Sequence, residues 1–92
     1  MNRKTCLSLA ESAVCVERAE CYGAVEDNFG EIAKLWSVYT GAEIESRDVA
    51  AMMVLLKIAR AKSGRKDDNW VDIAGYAACG AEIDGSKCTS GS

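Results

Sequence analysis

At 92 residues the chain is long enough for one domain with one core and a shallow site, and too short for a deep pocket outside a subunit interface. Its 11 basic and 14 acidic residues leave a net charge of −3, which argues against a general nucleic-acid or membrane-surface binder. It contains no His, so Ser–His and Cys–His nucleophile pairs and His metal ligands are excluded, and no Pro, which suits helices joined by Gly-rich and polar turns.

The spacing predicts a first helix over Thr5 to Cys21, with Cys6, Leu9, Ala13, Val16 and Ala19 as its apolar row, Thr5 as cap and Tyr22-Gly23 as its end. A second helix is expected from Glu26 to Tyr39. Asp27 is its N-cap, Phe29, Ile32, Trp36 and Tyr39 are its core stripe with Ala33 beside them, and Thr40-Gly41 ends it. The third runs from Arg47 to Lys62 behind a Ser46 N-cap. It is apolar nearly all round, as in a helix central to a bundle or buried between subunits. After the polar turn at Ser63-Gly64-Arg65-Lys66, a fourth helix is expected from Asp67 to Ile83. Its core stripe is Trp70, Ile73, Ala74, Ala77 and Ala81, with Gly75 marking a close approach.

Residues 84–92 read as a mobile Gly/Ser-rich tail, so residues 1–83 form the single domain. No stretch has β periodicity. The fold class is all-α, an antiparallel four-helix bundle expected to self-associate as a homodimer or higher homo-oligomer. No segment approaches the roughly 18 apolar residues of a membrane span. Charges among the first 25 residues speak against a signal peptide. Cys6, Cys15, Cys21, Cys79 and Cys88 are odd in number and lack C-x-x-C spacing. That fits a reducing cytoplasm, with all but Cys88 as small buried hydrophobes.

Chemistry concentrates in two matched blocks. Glu26-Asp27-Asn28-Phe29-Gly30-Glu31-Ile32-Ala33 opens the second helix and Asp67-Asp68-Asn69-Trp70-Val71-Asp72-Ile73-Ala74 the fourth. Asp27, Asn28 and Glu31 share a helix face, as do Asp68, Asn69 and Asp72. Two readings stand. If the helices lie side by side, the acids form a hard oxygen site for Mg²⁺ or Mn²⁺, with Glu31 and Asp72 as its catalytic ligands and Asp27 and Asp68 in support. Otherwise both blocks are helix caps that offset the dipole, which accounts for Asp27, Asp67 and Asp68 better than for Glu31 and Asp72. Lys57 and Arg60, the cations inside the most apolar helix, are either a phosphate-binding pair or salt-bridge partners of Glu31 or Asp72. Asn28, Asn69 and Tyr76 complete the candidate nucleotide-binding set. Tyr76 serves either by stacking on a base or as core with its hydroxyl at the edge. Arg18 could reach an anion or remain solvated.

From Arg18 to Ile83 the chain resembles a group of short uncharacterised proteins carried by phages and prophages. The likeness rests on Tyr22-Gly23, Asn28-Phe29, Glu31-Ile32-Ala33-x-x-Trp36, Asp48-Val49-Ala50-x-Met52-Met53, Lys57-x-x-Arg60 and Asp68-Asn69-x-x-Asp72-Ile73-Ala74-Gly75-Tyr76. More distantly, Asn28-x-x-Glu31 and Asn69-x-x-Asp72 are similar to the E-x-x-E and E-x-x-D motifs of MazG-like all-α nucleoside triphosphate pyrophosphohydrolases. That resemblance implies Mg²⁺-dependent cleavage between the α- and β-phosphates. Here the first acid of each motif is Asn, which removes two formal charges. The alternatives it leaves are a small MazG-like enzyme, a degenerate relative that sequesters a nucleotide signal, and a counter-defence protein that inhibits a host defence protein in the host cytoplasm.

Overall fold

The computed structural model describes residues 1–17, 25–64 and 67–87. Four α-helices and one π-helical turn account for most of them: α1 Arg3–Ser12 continuing into the π-turn Ala13–Glu17, α2 Val25–Thr40, α3 Ser46–Ser63 and α4 Asp67–Lys87. There is no strand among the described residues. The third helix of the sequence reading is matched to within a residue at each end, and α4 runs on through Asp84 to Lys87.

The caps show how local chemistry set the boundaries. Asn2, not Thr5, caps α1: the Thr5 N–H donates to Asn2 Oδ1 at 2.8 Å. α2 begins at Val25, so Asp27 lies inside its first turn instead of capping it. Its other end stops where expected, at Thr40-Gly41. Gly41 adopts φ 74° and its N–H returns to Ser37 O at 2.9 Å, a left-handed exit that suits a residue without Cβ. Ser37 then pins the loop to α3. Its Oγ accepts from the Ile44 N–H at 2.9 Å and donates to Ala33 O at 2.7 Å. Glu45 takes the cap position of α3 ahead of Ser46, because the Asp48 side chain reaches back to accept the Glu45 N–H at 2.9 Å.

α4 lies at the centre of the packing. It runs along α3 over the longest contact and also meets α1, while α2 packs on α3 and touches α4 only slightly. The core is Phe29, Ala33, Val49, Ala50, Cys79 and Ile83, flanked by half-buried Val14, Ile32, Trp36, Ile44, Met53 and Tyr76. Two close approaches hold α4 in place. A Cβ at Gly75 would stand 3.0 Å from Val14 Cγ1, and one at Gly80 would stand 3.3 Å from Ala50 Cβ. The π-turn, which inserts an extra residue per turn and shifts side chains around the axis, carries Val14 into this contact.

Several expected core positions are corrected. Tyr39 is 91% exposed and Trp70 59% exposed. Ala77 and Ala81 are exposed too, and Cys15 is exposed where burial was expected. On α4 the residues that meet the core are Tyr76, Cys79 and Ile83. The stripe read from Trp70 to Ala81 is therefore rotated away from the true inner face. The misreading has a physical origin: the helix is rich in Ala and Gly on every side, so periodicity alone does not single out a face. Leu9 is likewise more exposed than its place in the α1 row implied, and Ala10 is the buried residue of that helix. No helix is long and apolar enough to cross a membrane.

Candidate ligand-binding site

The two acidic blocks open helices that touch each other only slightly. Asp27 and Glu31 are exposed on α2, where with Gly30 and Lys34 they line their own open depression of about 390 Å³. On α4, Asp68 is exposed and Asp72 is half-buried. α2 scarcely meets α4, and among the described residues no group of three or more Cys, Asp or Glu could hold a metal ion.

Lys57 is committed elsewhere. Its Nζ stands 3.0 Å from Asp72 Oδ2, with the side chains 17% and 38% exposed. The pair ties the middle of α3 to α4, the salt-bridge alternative for this lysine. Tyr76 lines an open groove of about 480 Å³ with Arg47, Asp48, Ala50, Gly80 and Asp84. Its ring faces Phe29 with centroids 6.2 Å apart, which is one of the few contacts between α2 and α4. With Asp72, Gly75, Ala13 and Val14 it borders a cavity of about 90 Å³, too small for a nucleotide.

What the structure does bring together is Arg60 and Asn69. Arg60 lies in the last turn of α3 and Asn69 in the first turn of α4. Both line an open concavity of about 380 Å³ with Ala59, Ser63 and Gly64. Asn69 is only 7% exposed and is the buried polar residue of the described chain. Among the described residues its side-chain amide makes no hydrogen bond, and Arg60 has no acidic partner. A buried amide left unpaired costs roughly 1–3 kcal/mol. A cation, a hydroxyl at Ser63 and an amide with two donors and one acceptor all border one depression. The first-turn N–H groups of α4 lie at the same end and carry the positive end of its dipole. This chemistry suits an anion with a hydrogen-bonding edge.

Asn28, the counterpart of Asn69 on α2, is half-buried and already engaged by a partner. Sequence reasoning named Arg60 and Asn69 but missed Ser63 and Gly64, which it read only as a turn. The position of that turn directly between the two named residues was the available signal. Arg18, Tyr22, Gly23, Cys21 and Cys88 lie outside the described residues.

Comparisons with known proteins place these features in a lineage. Residues 5–84 match a family model described as a domain of unknown function, DUF6378. The gene 55 protein of Mycobacterium phage L5 is 48% identical over 73 residues, which cover 77% of this chain and 47% of that protein. The gene 55 protein of Mycobacterium phage D29 is 45% identical over 74 residues, covering 79% of this chain and 49% of the relative. The chain thus spans about half the length of the curated relatives it matches. No solved structure matches it.

Proposed function

The chain belongs to the DUF6378 family and has phage proteins among its relatives; from that premise we propose that it binds a phosphate-bearing nucleotide in the concavity between the end of α3 and the start of α4. One observation carries the reading: buried Asn69, with no side-chain hydrogen bond among the described residues, lines the same depression as Arg60, which has no acidic partner among them. Arg60 holds phosphate oxygens, since its planar fork donates two parallel hydrogen bonds to an oxyanion. Ser63 and the first-turn N–H groups of α4 add neutral donors. Asn69 pairs with a donor–acceptor edge, the pattern that a base or a ribose presents. The concavity, at about 380 Å³, falls in the usual range for small-molecule sites.

This is a binding function. The MazG-like reading rests on the acidic motifs, and among the described residues no three of these acids form one group. No metal-dependent step follows from them, and the catalytic roles expected for Glu31 and Asp72 are not part of the proposal. Sequestration of a nucleotide signal is the biological role that such binding without hydrolysis fits.

The test is thermal unfolding with a panel of nucleoside mono-, di- and triphosphates and cyclic nucleotides, beside an assay for released pyrophosphate. A ligand that binds only the native chain raises its melting temperature in proportion to the logarithm of saturation. At least one phosphate-bearing nucleotide should do so, and Arg60→Ala should weaken it by about 10- to 100-fold, the worth of a charge-assisted contact. No shift across the panel removes the proposal. Pyrophosphate release that depends on Mg²⁺ and is lost in Glu31→Gln and Asp72→Asn would replace it with the hydrolase reading.

A further inference from the structure

The outer face of α3 is apolar and uncovered. Met52 is 41% exposed, Leu55 63% and Ile58 46%, with exposed Ala51 and Ala59 completing the stripe. These positions follow the three-and-four spacing of a helix seam, on the side opposite buried Val49 and Ala50. A solvated face would carry charge here.

The stripe ends in opposite charges. Asp48 lies seven residues before Leu55 and Lys62 seven residues after it, so all three fall on one line of the helix. Lys62 has no acidic partner among the described residues.

We propose that two copies of this chain associate through α3, packed antiparallel about a two-fold axis at Leu55. In that arrangement Leu55 meets its own copy. Met52 meets Ile58 of the partner subunit, and each Asp48 faces Lys62 of the partner subunit. A parallel pairing would set Asp48 against its own copy and Lys62 against its own, so the charges select the antiparallel order. An isologous contact of this kind closes on itself and stops at two chains. The seam borders the nucleotide site at Ala59 but is centred on Leu55, Met52 and Ile58, which do not line that concavity.

The experiment is light scattering behind size exclusion, with sedimentation equilibrium across a range of concentrations. The native chain should run with the mass of two copies. Leu55→Glu sets two carboxylates together on the axis and should give a single chain of 9.8 kDa. Its helical circular dichroism should be unchanged, since Leu55 makes little use of the monomer core. Lys62→Glu should weaken the dimer about tenfold at low salt. Val38→Glu, at a still more exposed apolar position on α2, should leave it intact. A native chain that stays monomeric, or a mass other than two copies, overturns the proposal. So does a dimer that survives both Leu55→Glu and Lys62→Glu, or one that dissociates with Val38→Glu alone.

Discussion

The blocks that open α2 and α4 share the same order of residue types, yet they present opposite faces to the core. In the first, Phe29 is 1% exposed and belongs to the central cluster, while Asn28 is half-buried and engaged. In the second, the aromatic Trp70 is 59% exposed, and Asn69 is 7% exposed with no side-chain hydrogen bond among the described residues. The acids diverge too. Glu31 is in solvent, whereas Asp72 holds Lys57 at 3.0 Å. The difference comes from the neighbours. α2 lays its block on α3, but α4 packs between α3 and α1, with Gly75 pressed on Val14, and this turns its aromatic outward. A repeated sequence pattern therefore does not make a repeated site: one block supplies packing, the other an unpaired amide beside Arg60.

The largest effect should separate the two aromatics. Phe29→Ala should cost about 3–5 kcal/mol in urea unfolding, as expected for truncating a fully buried aromatic. Trp70→Ala should cost under about 1 kcal/mol, as for an exposed position. Equal losses would mean that both blocks anchor the core.

The two amides should separate next. Asn69→Leu removes an unpaired buried polar group, so the free chain should melt at the same temperature or higher, with a gain of up to about 1–3 kcal/mol. Asn28→Leu removes an engaged group and should lower stability by about 1 kcal/mol. The acids come third. Lys57→Met leaves Asp72 without its partner and should cost about 1–2 kcal/mol, between the values for exposed and buried pairs. Glu31→Gln should stay within about 0.5 kcal/mol. Smallest is a glycine contrast. A Cβ at Gly30 meets only Ser46 Oγ at 3.6 Å, so Gly30→Ala should stabilise by about 0.5–1 kcal/mol through helix propensity. Gly75→Ala should gain less than that, since Val14 must give way. Thermal and urea unfolding read both.

Much of this architecture is legible in the sequence. Helix periodicity gives the elements, and Thr40-Gly41 and the Asp67 start fall where turn and capping chemistry put them. The faces are harder. Phe29 and Trp36 occupy an amphipathic stripe that periodicity resolves, whereas α4 offers Ala, Gly and Cys around its whole circumference, so only tertiary packing decides that Cys79 and Ile83 go in and Trp70 stays out. The near-uniform apolarity of α3 is readable in the sequence, and in the structure its outer face, with Met52, Leu55 and Ile58, is exposed. At the candidate site, Arg60 and Asn69 are visible as residue types, but their shared concavity depends on how α3 and α4 pack. The same holds for the acids: spacing along a helix places side chains on a face, and only the packing of the helices decides which faces meet.

Isothermal titration calorimetry of the native chain and of Asn69→Leu, against the nucleotide that most raises the native melting temperature, tests the central claim most directly. The account predicts saturable binding to the native chain and its loss in Asn69→Leu, in a variant at least as stable as the original. Undiminished binding by Asn69→Leu would contradict it and would move the ligand away from the junction of α3 and α4.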